Sequence, residues 1–407
     1  MSAVVARHSW STPGGAELVC ASTAVAFDTM GISPTLSGVF KFNPAKYKEW
    51  FGIDLGKYPI VTLPIESGFI GSGLLREFLV WQLARKALKK SKASLLFIDG
   101  PMYKPLATRK RKYKIVEYIH FPQEVVIMPE IKGTDFAYGE DLHVRRYSIF
   151  PSDLYWKIYR WGSYALSRGN PFYAADLVLA NSKWTADVVR FVYGESPIVL
   201  NPPIAPNVEV VDFPKPFEER KPAIVMVGRF SPEKRYGWVV GELMPRLIKE
   251  VPEVRVYIFG GLSSLANTRA YYEEVKRIAE KRGVSRHLVL VTNAPRVEIN
   301  NAMDRSRVFL HATINEHWGI AVAEAMARGL PTVVHKSGGA WTDLTRGGIV
   351  GVGYDSVEEA VEHLVKLITD PKTWRHYSQK SLERARELTL HHYITNLTQL
   401  LKKSNII

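Results

Sequence analysis

The C-terminal half carries the apolar runs AIVMVGR, VRVYIFGG, HLVLVT, RVFLHAT and PTVVH, each followed by a loop and an amphipathic stretch. Nearly continuous apolar strands alternating with helices must be covered on both faces, which implies a parallel sheet between two helical layers. The N-terminal half repeats the pattern: AVVA, SLLFID, YKIVEYIHFP, AADLVLANS and PIVLNPPIAP read as strands. Helices are expected from about Ala16, over LLREFLVWQLARKALKK, and over the aromatic stretch Pro151 to Ser167. At 407 residues the chain exceeds what one core usually supports. Pro202, Pro203 and Pro206 interrupt both helix and central strand, and so mark a linker. The expected organisation is therefore α/β, with two doubly wound, Rossmann-like parallel-sheet domains over 1–203 and 222–385. A linker at 204–221 joins them, and a helix at 386–407 is expected to cross back to the N-terminal domain. In open parallel sheets ligands sit beyond the carboxyl ends of the strands, so an interdomain cleft is the expected site.

One cysteine, Cys20, excludes a disulfide within the chain. The opening MSAVVARHSW lacks an apolar signal core, and no run approaches ~20 apolar residues, so a cytoplasmic location is expected. The net charge of +14 favours polyanionic partners. Twelve Lys and Arg between Arg76 and Lys114, against Glu77 and Asp99, concentrate most of that excess in one segment.

The stretch TINEHWGIAVAEAMARGLP holds Glu316 and Glu324 eight positions apart. With RVFLHAT ending near Thr313 and a helix beginning near Gly319, Glu316 falls in the strand-to-helix loop and Glu324 inside the helix. Eight helical residues span ~12 Å. Paired glycosidase carboxylates stand ~5 to 9.5 Å apart, so an acid/base pair fits poorly. The amides of Trp318, Gly319 and Ile320 at the helix start suit an anion such as a diphosphate, with Glu324 placed for a ribose and Glu316 for a sugar ring. The plainer alternative is a solvated helix charge at Glu324 and a dipole-complementing charge at Glu316. VGRFSPEKRYG adds Arg229 and Lys234 at the end of a strand, where two cations neutralise a diphosphate leaving group.

GRFSPEK together with EHWGIAVAE resembles the Arg-x(4)-Lys and Glu-x(7)-Glu signatures of retaining family 4 glycosyltransferases of the GT-B fold. HSWSTPGGAE, YIHFP, NSKWT, NPPI, NEHWGI and HKSGGA follow in that family's order. YIHFP, NPPI, NEHWGI and HKSGGA look most like the GDP-mannose-dependent α-1,2-mannosyltransferases that extend dolichol-linked oligosaccharides. The resemblance implies a nucleotide-sugar donor, with Arg229 and Lys234 on its diphosphate, Glu324 on the ribose, Glu316 on the transferred sugar, and the amides of Trp318 to Ile320 completing those contacts. It implies that Gly14 and Gly15 admit donor phosphate and acceptor closely, and that His120 contacts the sugar near the reacting carbon. His8 and His317 read as orienting groups at most. Gly338 and Gly339 fit either a ligand-facing turn or a plain one. Front-face substitution without a metal is the implied mechanism, in keeping with the lack of an Asp-x-Asp motif. A UDP-hexose donor is the alternative.

The helix LLREFLVWQLARKALKKSK sets Leu75, Phe78, Leu79 and Leu83 on one side and Arg85, Lys86, Lys89, Lys90 and Lys92 towards its end. With RKRKYK and the aromatics Tyr155, Trp156, Tyr159, Trp161 and Tyr164, it suits an anionic membrane surface and hence a lipid-linked or membrane-proximal glycan acceptor. An ordinary sheet-covering helix with a solvated basic face is the alternative. Charge alone would also suit nucleic acid, but no reading helix and no exposed sheet of interleaved aromatics accompanies it, which disfavours that partner.

Overall fold

The computed structural model describes residues 1–66, 73–100, 111–122, 154, 158, 170–262 and 266–407. The aromatic stretch of 151–167 therefore lies outside the described residues except for Leu154 and Ile158, as do Arg109 and Lys110 of the basic run.

Two parallel sheets account for the apolar runs. The first has seven strands: β1 (Ser2–Ala6), β2 (Ser33–Ser37), β3 (Ile60–Val61), β4 (Leu95–Ile98), β5 (Lys114–Ile119), β6 (Leu177–Ala180) and β7 (Ile198–Val199), in spatial order β3-β2-β1-β4-β5-β6-β7. The second has six: β8 (Lys221–Val227), β9 (Arg255–Gly260), β10 (Leu288–Thr292), β11 (Ser306–His311), β12 (Thr332–His335) and β13 (Val352–Tyr354), in order β10-β9-β8-β11-β12-β13. Every recorded pairing is parallel. These are two doubly wound, Rossmann-like α/β sheets of the GT-B type.

Strands β2, β3 and β13 lie outside the apolar runs, because SPTLS and the two- and three-residue segments carry no hydropathy signal. Neighbours make β2 a strand: it pairs in register with β1, Val4 beside Thr35, and Leu36 N donates to Pro59 O at 2.8 Å.

Helices α1 (Gly15–Thr29), α2 (Gly73–Ser91), α3 (Arg296–Arg305), α4 (Ile320–Ala327) and α5 (Leu390–Lys403) bear on the site. Val80, Leu83, Ala84, Ala87 and Leu88 of α2 pack into the core beside Val4, Ala6, Leu96 and Ile98, which makes α2 a sheet-covering helix. Leu75 and Phe78 remain about half exposed, and Arg85, Lys86, Lys89 and Lys90 face solvent. Part of the neighbouring basic run is neutralised, since Asp176 binds Arg111 at 2.6 Å and Lys114 at 3.3 Å.

The helical stretch from Tyr236 to Glu250 has a π-helical turn at Val239–Leu243. Pro245 sits just beyond it and has no amide with which to continue the ordinary ladder.

Among the described residues, the chain divides into two compact units. One contains the residues up to Asn207 together with Thr389–Ile407, and the other contains Val208–Leu388. In the first unit α5 packs on α1, where the Tyr393 hydroxyl meets Thr23 Oγ1 at 2.7 Å. Strand order reverses between β1 and β4 in one sheet and between β8 and β11 in the other. The carboxyl ends of those strands are where open α/β sheets hold ligands.

Candidate active site

In the second unit the loop leaving β8 carries Arg229 and Lys234, and the loop leaving β11 carries Glu316. A 3₁₀ turn over Pro232–Lys234, closed by Lys234 N donating to Ser231 O at 3.0 Å, brings Lys234 back over the sheet. Its Nζ reaches Glu316 Oε2 at 2.8 Å. The same oxygen is 2.8 Å from Nε2 of His311, the last residue of β11. Burial alone would push the Glu316 carboxyl up. The charge of Lys234 and the hydrogen bond from His311 outweigh it and, with His317, hold the carboxyl well below the usual range. Burial also lowers His311 despite its carboxylate neighbour, so at neutral pH the imidazole is uncharged. An ionised carboxylate can only accept, which places the imidazole proton on Nε2.

The backbone holding Glu316 is tied to the loop after β12. Asn315 N donates to Ser337 Oγ at 2.7 Å, and Gly339 N donates to Glu316 O at 2.7 Å. Gly338 has φ +72°, and a Cβ there would lie 2.3 Å from Glu316 O and 2.6 Å from Glu316 N. Only glycine fits that approach. The glycine pair of HKSGGA thus packs against the Glu316 backbone.

Helix α4 begins at Ile320, with Gly319 as its N-cap in the left-handed region. Among the described residues, the amides of Trp318, Gly319 and Ile320 donate to no recorded acceptor, whereas the Trp318 side chain is buried. Glu324 is 4% exposed, so it is not a solvated helix charge. Arg296, the first residue of α3, holds it in a fork, with Nη1 to Oε2 at 2.8 Å and Nη2 to Oε1 at 3.1 Å. Arg229 stands apart from this group, its side chain 72% exposed and 3.5 Å from Glu233.

The first unit carries a different cluster at its switch point. Arg7 follows β1, Asp99 follows β4 and Glu17 lies in the first turn of α1; Arg7 and Glu17 are buried, and the Asp99 side chain is 2% exposed. Arg7 donates to Glu17 at 2.8 Å and also binds Asp99 and the Ser9 carbonyl. Burial opposes the charge on Arg7, but Asp99 and Glu17 overcome it and raise its pKa further. Burial likewise pushes Asp99 up, and Arg7 and His120 pull it below its ordinary value. His120 follows β5, its Nε2 3.4 Å from Asp99 Oδ2, and its carbonyl accepts from Asn181 Nδ2 at 2.8 Å. Gly14 caps α1 in extended backbone, and a Cβ there would meet Glu17 Oε2 at 2.5 Å. Gly14 therefore makes room for the Glu17 carboxylate, and Gly15 opens the helix behind it.

The structure thus brings Lys234, Glu316 and the start of α4 together in one unit, and Gly14, Gly15 and His120 to the strand ends of the other. His8 is exposed. Sequence motifs alone do not single out His311, Arg296, Arg7 or Asp99. Their signal is position: His311, Arg7 and Asp99 stand at or just past the carboxyl ends of central strands.

A family model described as glycosyl transferases group 1 matches residues 208–384, and one described as glycosyltransferase family 4 matches residues 13–204. The chain belongs to glycosyltransferase family 4. This family-4 chain is 24% identical over 328 residues to the human GDP-Man:Man(3)GlcNAc(2)-PP-Dol alpha-1,2-mannosyltransferase, covering 77% of the chain and 63% of that protein. It is 21% identical over 351 residues to the Dictyostelium discoideum protein of the same name, covering 81% and 65%. The chain spans less than two thirds of the length of these relatives. Among solved structures it resembles sucrose-phosphate synthase from Thermosynechococcus elongatus, with TM-score 0.71 and 12% identity over 99% of this chain and 98% of that one. Anabaena HepE in complex with UDP and glucose gives TM-score 0.67 and 17% identity over 98% and 99%.

Proposed function

We propose that this chain is a retaining hexosyltransferase that moves mannose from GDP-mannose to a lipid-linked or membrane-proximal glycan acceptor. The observation that carries the reading is the meeting of Lys234 and Glu316 at the switch point of the second sheet, beside the open amides of α4. The resemblance to the mannosyltransferase relatives supports this choice of sugar and nucleotide.

In this reading Lys234 and Arg229 neutralise the diphosphate, and Arg229 is exposed enough to swing onto it. The amides of Trp318 to Ile320 add the positive end of a helix. Glu324 keeps lone pairs beyond the two held by Arg296, and these accept from the ribose hydroxyls. Glu316 accepts from hydroxyls of the transferred sugar, Gly14 and Gly15 admit donor phosphate and acceptor closely, and His120 contacts the sugar near the reacting carbon. The bond from the anomeric carbon to the diphosphate breaks as the acceptor oxygen bonds to the same face. The acceptor proton passes to the departing diphosphate oxygen, whose charge the two cations and α4 stabilise. These groups supply the charge stabilisation without a metal.

Calorimetric titration with GDP, UDP and their mannose and glucose conjugates tests this. GDP and GDP-mannose are expected to bind. Preference for UDP-glucose moves the donor to the UDP-hexose alternative, and binding of neither nucleotide overturns the reading.

The acceptor side is supported by α2, where the exposed Leu75 and Phe78 share a helix with the solvent-facing Arg85, Lys86, Lys89 and Lys90. Among the described residues no helix is long and apolar enough to cross a membrane. Cosedimentation with anionic vesicles is expected at low salt and should be lost when Lys86, Lys89 and Lys90 are neutralised. Failure to bind such vesicles removes the membrane from the proposal.

A further inference from the structure

We propose that His311 is a positioning residue that holds the Glu316 carboxylate in place when Lys234 turns to the donor diphosphate. The inference rests on the diphosphate role given to Lys234 above.

Both donors to Glu316 fall on the same oxygen. Lys234 Nζ and His311 Nε2 each stand 2.8 Å from Oε2, and among the described residues no donor to Oε1 is recorded. The two donors differ in what they can do next. Lys234 ends a flexible four-carbon stem on a loop, is 18% exposed, and carries a charge that a diphosphate attracts more strongly than one carboxylate does. His311 is 4% exposed, fixed at the end of a central strand, and uncharged at neutral pH, so an arriving diphosphate exerts little pull on it.

When the ammonium moves or is shared, Glu316 loses its nearest charge while remaining largely buried. A buried carboxylate without donors takes up a proton. The His311 N–H prevents this and leaves Oε1 to accept from the sugar. The groups facing Glu316 are Lys234 from the loop after β8, His311 from β11 and His317 from its own loop, and the loop after β12 contributes the backbone of Gly338 and Gly339. Among the side chains, His311 combines a short contact with a fixed mount.

The test compares His311→Leu, which removes the donor, with His311→Gln, which returns an N–H at similar reach, in the full chain. Two quantities are read: the acid limb of kcat/KM for the donor, and the Glu316 carboxyl titration by ¹³C NMR, assigned with Glu316→Gln, with and without saturating GDP. In His311→Leu the acid limb is expected to move up by about one pH unit, with the carboxyl following it most clearly when GDP is bound. His311→Gln should recover most of both shifts, with GDP affinity within about threefold of wild type in each variant. If His311→Leu does not fold, His311→Asn, whose amide is too short to reach Oε2, takes its place.

An unchanged acid limb and carboxyl titration in the donor-less variant overturns the proposal, as does a Gln variant that shifts as far as the Leu variant. If the protein transfers no sugar at all, the function above falls, while the carboxyl titration without nucleotide still decides whether His311 governs Glu316.

Discussion

The two sheets carry charge clusters at corresponding strand ends, and the clusters differ in how fully their hydrogen bonds are spent. In the first unit Arg7 is shared among Glu17, Asp99 and a carbonyl, with side chains 2–9% exposed. In the second, Lys234 and Glu316 are 17–18% exposed, both donors crowd one carboxylate oxygen, and the amides of α4 remain open. The same topology thus supports a closed cluster that fixes the strand ends and an open one whose partners can be exchanged. The difference lies in the cation. A forked guanidinium satisfies two carboxylates at once, whereas a lysine on a loop forms one short contact and can leave it.

Removing a charge from each cluster should separate the two roles. Arg7→Met strands two buried carboxylates and should cost about 3–5 kcal/mol, read as a lower urea midpoint for the transition of the first unit. A loss below about 1 kcal/mol would erase the contrast. In the second cluster Glu316→Gln should lower kcat by about 10²- to 10³-fold while nucleotide affinity stays within about twofold. Lys234→Ala should weaken both, and full activity in Glu316→Gln would remove the sugar contact. The pH dependence has a definite sign. Because Glu316 titrates well below 4.5 in the folded chain, its contribution to stability is complete above about that pH and is lost as pH falls through the depressed value. The stability gap between wild type and Glu316→Gln should therefore narrow as pH drops below about 4.5.

Two smaller effects refine the comparison. Arg296→Ala leaves the buried Glu324 without its fork and should cost about 1–3 kcal/mol in thermal or urea unfolding, with weaker nucleotide binding. Arg229→Ala should change stability by less than about 1 kcal/mol, since that exposed pair is screened, while still weakening donor binding. A large stability loss there would mean that the open cluster is structural too.

Much of this was legible in the chain itself. Runs such as AIVMVG and VRVYIFG declare buried parallel strands because nearly every position is apolar, and the Lys234 and Glu316 motifs sit where such strands end. Strands β2 and β13 were not legible, since Ser, Pro, Thr and Gly become strand only when neighbours supply the hydrogen bonds. Nor was the fork between Arg296 and Glu324, which joins residues 28 apart through the packing of two helices. Gly14 was legible as a close approach. What approaches it is the chain's own Glu17, and sequence spacing cannot distinguish that from a ligand.

Ser337, Gly338 and Gly339 grip the Glu316 loop through two hydrogen bonds and a contact that leaves no room for a methyl group. Anyone redesigning donor preference by loop exchange inherits that coupling. A graft that replaces residues 313–319 alone would seat a foreign backbone against an unchanged clamp, so the two segments form one interchangeable cassette and should be transplanted together.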